Sequence, residues 1–348
     1  MKDENLYNAL KCIVEDVGKS YEGNYRTRLK IILKKYENLV CGNDFEIENI
    51  EQISDSVKGT IIILKEIVDA QYKGLHSTAY RKLYNLFKKL RKHLLYKTIR
   101  KNSLLFRMRV FAPEKRRHVQ ERDLFHIPLN MRGIVTTQRY SVPGLPCLYM
   151  GESIYACWEE MKRPQLNLCM TSKLQCQDEI KLLNLAFFQD NDEEWWNDNI
   201  EKVLNIFPIL LSCMIPVADE DAIYKPEYII PQLVMEWVIW NRKKEKIYGI
   251  YYTSANVNED FDYPLYKLNN LAIPVIDISR DKDYCPVLCE MFRITKPLCI
   301  EFEKLKEVND DYGQYGIDDE KEENYRISDF SYLESRFEDN YESIINED

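Results

Sequence analysis

The stretch from Phe125 to Glu160, FHIPLNMRGIVTTQRYSVPGLPCLYMGESIYACWEE, constrains the fold more than any other part of the chain. Val142-Pro143-Gly144-Leu145-Pro146 is a turn built from Pro and Gly, which fixes where the chain must reverse. Cys147-Leu148-Tyr149-Met150 then reads as a short buried strand, and Ser153 as the N-cap of a helix running from Ile154 to Met161. A ring, Tyr149, thus closes a strand, and two adjacent acids, Glu159 and Glu160, lie one to two turns into the helix that follows. Taken alone, either acid is first read as a surface carboxylate.

What precedes this stretch is helical in pattern. Leu6, Leu10, Ile13 and Val14, then Leu29, Ile32, Leu33 and Tyr36, then Ile61, Ile62, Leu64 and Ile67 recur mostly at three- and four-residue steps, and no proline occurs before Pro113. The last of these helices is expected over Ser77–Arg100. It is amphipathic, with Leu83, Leu86, Leu90 and Leu94 along one face and Lys82, Lys89 and Lys92 off it. From Lys73 to Arg109 there are twelve Lys or Arg and no acid. Such a face suits nucleic acid or a partner, or else docks on acids elsewhere in a chain whose net charge is -9. From Leu104 the period changes to two: Leu105, Arg107 and Arg109 point one way, Phe106, Met108 and Val110 the other. Two guanidinium groups on one strand face suit bidentate capture of phosphate oxygens, or form a solvated basic face.

Beyond the central stretch, Ile180–Phe188 reads as a strand, Asp190-Asn191-Asp192 as a solvated turn, and Glu193–Leu204 as an acidic, Trp-bearing helix. Phe207–Val217 is a buried, partly helical segment. Asp262–Ile276 reads as edge strands and loops, and Met291–Phe302 as a strand interrupted at Pro297. From Glu301 onward there are 17 acids against five basic residues, with apolar periodicity returning only at Tyr332–Ile345. Such a tail is disordered or folded against something cationic, for which the basic helix is the intramolecular candidate.

Several classes are set aside by composition. The longest uncharged apolar run, Ile206–Ala218, is shorter than the roughly 18 residues a membrane span needs and contains Pro208 and Pro216. The opening MKDENLYNAL has acids where a secretory leader carries basic residues, so a cytoplasmic protein with no membrane partner is expected. The ten cysteines form no CxxC pair, their nearest approach being Cys285 and Cys289, and the four histidines do not complete a ligand set. Reduced, mostly buried thiols and no metal site are expected. Neither GxGxxG nor GxxxxGK[ST] occurs. At 348 residues the chain exceeds the roughly 100–200 of one core, which favours more than one domain.

One ordered set of blocks gives a more specific reading. Leu105-Phe106-Arg107, then Arg139-Tyr140-Ser141 with Gly144, then Leu148-Tyr149-Met150-Gly151 with Glu160, resembles the RES-domain family, named for an arginine, a glutamate and a serine. The late elements follow in order: Tyr228-Ile229-Ile230-Pro231-Gln232 opens a helix through Trp240, and Gly249-Ile250-Tyr251-Tyr252-Thr253-Ser254 follows as a strand. The resemblance spans roughly residues 104 to 275.

It implies an α+β fold in which a helical N-terminal domain, 1–101, precedes a RES domain, 102–300, followed by an acidic tail, 301–348. The RES part is expected to resemble the ADP-ribosyltransferases, with two small sheets around a cleft that binds NAD. The resemblance implies an NAD glycohydrolase, phosphorolytic in some members, in which NAD is the substrate, no metal takes part, and loss of NAD arrests growth as a toxin or defence effector. Glu160 is expected to stabilise the ribose oxocarbenium, with Glu159 as the alternative acid. Arg107, helped by Arg109, would hold the pyrophosphate, and Arg139 would line the cofactor side. Tyr149 would stack on nicotinamide with Tyr140 on the opposite wall, and Gln232 would support the cleft. Ser254 would hydrogen-bond the dinucleotide; no triad histidine stands near it in sequence, so it is not read as a nucleophile. Residues 1–101 and the acidic tail depart from the compact family pattern and leave open an antitoxin, a built-in inhibitor or homo-oligomerisation. Two other readings remain: ADP-ribosyl transfer to a macromolecule, and non-enzymatic nucleic-acid binding through residues 77–100.

Overall fold

The computed structural model describes residues 4–42, 45, 47–187, 193–255, 268–278, 282–300, 303 and 325–342. The helices among them are α1 Glu4–Gly18, α2 Tyr25–Cys41, α3 Ile50–Tyr72, α4 His76–Lys89, α5 Ile154–Glu160, α6 Glu193–Met214, α7 Ile229–Glu245, α8 Pro286–Met291 and α9 Asp329–Ser335. The strands are β1 Tyr96–Ile99, β2 Leu104–Val110, β3 Cys147–Gly151, β4 Cys169–Cys176, β5 Ile180–Leu185, β6 Gly249–Thr253, β7 Asn269–Pro274, β8 Phe292–Thr295 and β9 Tyr341–Glu342. The architecture is α+β.

The helical start follows from periodicity and capping. Asn24 accepts the Arg26 backbone N–H at 2.8 Å and opens α2, whose Tyr25, Leu29, Ile32, Leu33, Tyr36 and Val40 are all buried. The basic helix expected through Arg100 ends at Lys89 instead. Leu90 and Leu94 keep the leucine spacing and are buried, but Tyr96-Lys97-Thr98-Ile99 forms a strand antiparallel to β5. Ring and β-branched residues facing an open strand edge outweigh a continued helix there. Part of the basic face is neutralised within the chain, Lys82 by Glu66 at 2.6 Å and Arg91 by Glu245 at 2.9 Å.

Nine strands form a sheet in the order β1-β5-β6-β7-β3-β2-β4-β8-β9. All neighbours are antiparallel except β5 and β6, which are parallel and joined through α6 and α7. The two small sheets expected are therefore halves of one, and β2 meets β3 at a single register pair, Phe106 with Gly151. The halves also share a ribbon. β1 continues into β2 and β4 into β5, and between them Asn102 donates to the Cys176 carbonyl at 2.8 Å while Cys176 donates back to Ser103 at 3.0 Å. Two residues thus oppose one, with Asn102 at φ 66, a bulge that bends the ribbon. At the opposite crossing, Gly249 admits no side chain, since a Cβ would sit 2.3 Å from the Ala272 carbonyl oxygen.

Residues 269–274, expected at an edge, form the interior strand β7 and are all buried. The polarity that suggested an edge is satisfied internally: Thr253 donates to the Asn269 side chain at 3.0 Å. Phe188, the expected turn at 190–192, residues 262–267 and most of the tail lie outside the described residues. The tail's described part, Glu303 and 325–342, packs on other elements. α9 packs on α5, β9 pairs with β8, and Lys173 of β4 supplies a cation to Asp339 at 3.0 Å.

The described residues form three cores. One runs from α1–α4 through α6 and α7 to β5, β6 and Ala272. The second fills the bent sheet, from Leu105, Leu148 and Met150 to Phe292. The third is small and aromatic, joining Phe106, Ile154 and Tyr155 to Tyr325, Phe330 and Phe337. All ten cysteines are free, six of them buried. Among the described residues no helix is long and apolar enough to cross a membrane.

Candidate functional site

The site begins where β2 and β3 part. Past the Phe106–Gly151 pair the ladder stops, and the Arg107 side chain bridges the gap, its Nη1 donating to the Tyr149 carbonyl at 2.5 Å. The Nε of Arg107 is buried without a partner. Burial, then the like charge of Arg109, pushes this guanidinium down to about 10, so it stays charged at neutral pH. Arg109 lies on the same strand face but is committed elsewhere, donating to the Asp123 carbonyl at 2.6 Å.

Gly151 ends β3 because the turn into α5 leaves no room: a Cβ would meet the Ser153 carbonyl at 2.8 Å and the Cys157 sulfur at 2.9 Å. Ser153 caps the helix, its hydroxyl accepting the Ala156 N–H at 3.0 Å, and Cys157 ties the helix to β2 by donating to the Phe106 carbonyl at 3.1 Å. Consecutive helical side chains diverge by about 100°, and this separates the paired acids. Glu159 turns into the third core and takes a forked ion pair from Arg163, with contacts of 2.7 to 3.0 Å. Glu160 turns toward β6. Ser254 donates to its Oε2 at 2.7 Å and Tyr252 to its Oε1 at 3.1 Å.

Tyrosines surround this carboxylate. The rings of Tyr140 and Tyr252 lie 4.5 Å apart and both are buried. Burial, then the charge of Glu160, raises the Tyr252 hydroxyl well above its usual value. Burial, then Cys147 and Glu160, does the same to Tyr149, whose hydroxyl is buried. Tyr228 is raised by burial first, and Glu160 adds to the shift. All are neutral donors at neutral pH.

Arg139 and Gln232 brace the wall. Arg139 donates to the Cys213 and Ile215 carbonyls, each at 2.8 Å, and stacks over Tyr228 at 5.3 Å, so it caps the end of α6. Gln232 donates to the Gln138 carbonyl at 3.2 Å and steadies the turn before Tyr140. Ser254, Tyr140 and Tyr149 are thus gathered around the Glu160 carboxylate, and Arg107 of β2 reaches the neighbouring strand at the Tyr149 carbonyl; Arg109 is spent on the Asp123 carbonyl.

Tyr252 and Tyr228 were not among the sequence candidates. Tyr252 was within reach, since it stands two residues before Ser254 on a strand and shares its face. Tyr228 was not, because only the fold of the 3₁₀ turn Pro226–Tyr228 brings it beside Arg139. Tyr251 faces the other way and donates to Glu152 at 2.5 Å. Chemically, a carboxylate oriented by two hydroxyl donors and bounded by ring faces suits a cationic or electron-poor group.

No family model matches the chain, and no solved structure matches it. The chain is similar to a protein of Bacillus subtilis (strain 168) named "Putative toxin YopC", with 36% identity over 288 residues. The match covers 77% of this chain and 63% of that protein, so it spans less than two thirds of the relative's length.

Proposed function

We propose that this protein is a toxin that cleaves the nicotinamide–ribose bond of NAD, a reaction of the RES type. The observation that carries the reading is Glu160, held at one oxygen by Ser254 and at the other by Tyr252 inside a group of tyrosines. The similarity to a protein named as a toxin supports the biological half.

The residue chemistry fits the step. Nicotinamide leaves as a neutral base from a cationic pyridinium, so little acid help is needed. The barrier lies in the oxocarbenium character of the ribose, which a fixed carboxylate lowers electrostatically. Glu160 supplies that charge, and Ser254 and Tyr252 fix its direction before substrate arrives. Tyr149 and Tyr140 offer faces to the nicotinamide, and Arg107 offers the cation for the pyrophosphate. Water or phosphate takes the ribose C1′.

Incubation of the purified protein with NAD, with and without phosphate, tests the reading by following nicotinamide release. Release that depends on Glu160 supports it, and an inert protein in both conditions overturns it. Label from adenylate-labelled NAD appearing on a macromolecule, and not as free product, would replace hydrolysis by ADP-ribosyl transfer. Salt-sensitive nucleic-acid binding without NAD loss would replace both.

A further inference from the structure

We infer that the C-terminal segment 325–342 is a strap that positions the Glu160 helix, with Glu334 as its positioning residue. The catalytic part of this inference rests on the NAD reading; the strap itself does not.

α5 is seven residues long, too short to hold its geometry without outside contacts. Its first turn carries N–H groups that need acceptors. Ser153 serves the Ala156 N–H, and the Ile154 N–H is served from far along the chain by Glu334, whose Oε1 accepts it at 2.8 Å. A carboxylate there also answers the positive end of the helix dipole. Tyr325 donates to the same Glu334 oxygen at 2.6 Å and holds the acid in place. Above this contact the Phe330 ring meets Tyr155 at 5.1 Å and Trp158 at 5.2 Å, and Phe337 meets Phe106 of β2 at 6.0 Å. The segment ends as the two-residue strand β9 against β8.

These are the contacts of a bound peptide: one helix face in a groove, one short added strand, one half-buried acid. They form a core separate from the other two. Among the described residues that core draws none from the helices α1–α4, yet it covers the N-terminal end of the element whose last residue is Glu160. Release of the strap therefore loosens α5 and moves Glu160 off Ser254 while the larger cores persist.

The test uses the full chain with Glu334→Ala, Glu334→Gln and Phe330→Ala, reading amide hydrogen exchange, Trp158 fluorescence and nicotinamide release. In Glu334→Ala and Phe330→Ala, protection of the amides of 154–160 is expected to fall about tenfold or more, the scale of one lost charged hydrogen bond. Protection in α2 and α3 stays unchanged, the Trp158 emission shifts, and kcat falls more than KM rises, because Glu160 acts on the transition state. Glu334→Gln keeps an acceptor for Ile154 and retains most of the protection. Excess synthetic peptide of residues 325–342 restores protection and turnover to Phe330→Ala. Unchanged protection of 154–160 in both variants overturns the strap, and so does uniform loss across the chain. A strap that loosens as described, in a wild type that releases no nicotinamide, supports the strap and refutes the NAD reading alone.

Discussion

The helices at the start of the chain and the segment at its end flank the same sheet but are joined to it in different ways. α2 is sealed by apolar contact over its whole length: Tyr36 is fully buried, its ring 5.0 Å from Phe207 and its hydroxyl donating to the Leu204 carbonyl at 2.6 Å. Tyr21 donates at 2.5 Å to the buried Glu227, which lies in the turn that presents Tyr228. The C-terminal segment, by contrast, rests on a few rings, one acid and two strand residues. Area-wide apolar burial fails cooperatively, whereas a few polar anchors and rings can open locally. The first region should therefore govern whether the chain folds, and the second whether Glu160 is in place.

The largest break in that comparison comes from the helical side. Phe207→Ala empties the space beside Tyr36 and should cost about 3–5 kcal/mol, seen as a fall in the denaturant midpoint with unchanged slope. A small loss there would mean the two regions are held alike. On the opposite side, Glu160→Gln should lower nicotinamide release by about two to three orders of magnitude, the scale of losing one preorganised electrostatic group. The melting midpoint of that variant should barely move; full activity would place the chemistry elsewhere.

A third change separates both regions from the core inside the bent sheet. His126 is buried, its Nε2 accepting the Cys285 N–H at 2.9 Å and its Nδ1 facing the Ile127 carbonyl at 2.8 Å, an arrangement that needs the neutral ring. Burial pushes its pKa down to about 4 from 6.5. Between those values the unfolded chain binds the proton and the folded one does not. The stability present above pH 6.5 is therefore lost progressively as the pH falls toward 4, by up to about 3 kcal/mol. Denaturant midpoints at several pH values for wild type and His126→Gln should converge toward the acid end; parallel curves would show that His126 is not the group responsible. The smallest effect is expected at Lys82, half-exposed and paired with Glu66: Lys82→Ala should change stability by less than about 1 kcal/mol. A larger shift would mean the basic face contributes more than solvation.

Much of this was legible in the sequence. The Pro-Gly turn, the short strand, the Ser153 cap and the helix ending at Glu160 stand where residue type and spacing put them. So does β2, with Leu105 in one core and Phe106 and Met108 in another. What failed did so for one recurring reason. Residues 96–99 and 269–274 are ambiguous locally, and each took its state from the strand beside it: β1 from β5, and β7 from β6 and β3. The two-sheet expectation failed because a single pair, Phe106 with Gly151, joins the halves, and no local pattern encodes one pair.

The sequence by itself determined most of the elements and offered Glu160, Ser254, Tyr140, Tyr149 and Arg107 as candidates, because hydrophobic period, turn chemistry and capping act within a few residues. It also placed Glu159 and Glu160 side by side without ranking them. Only the tertiary structure decided that Arg163 takes one and Ser254 the other, that Arg109 is spent on a loop carbonyl, and that the chain's end caps α5. Those outcomes depend on contacts between residues as many as 180 positions apart. Such contacts form only when burial of the cores fixes which surfaces meet.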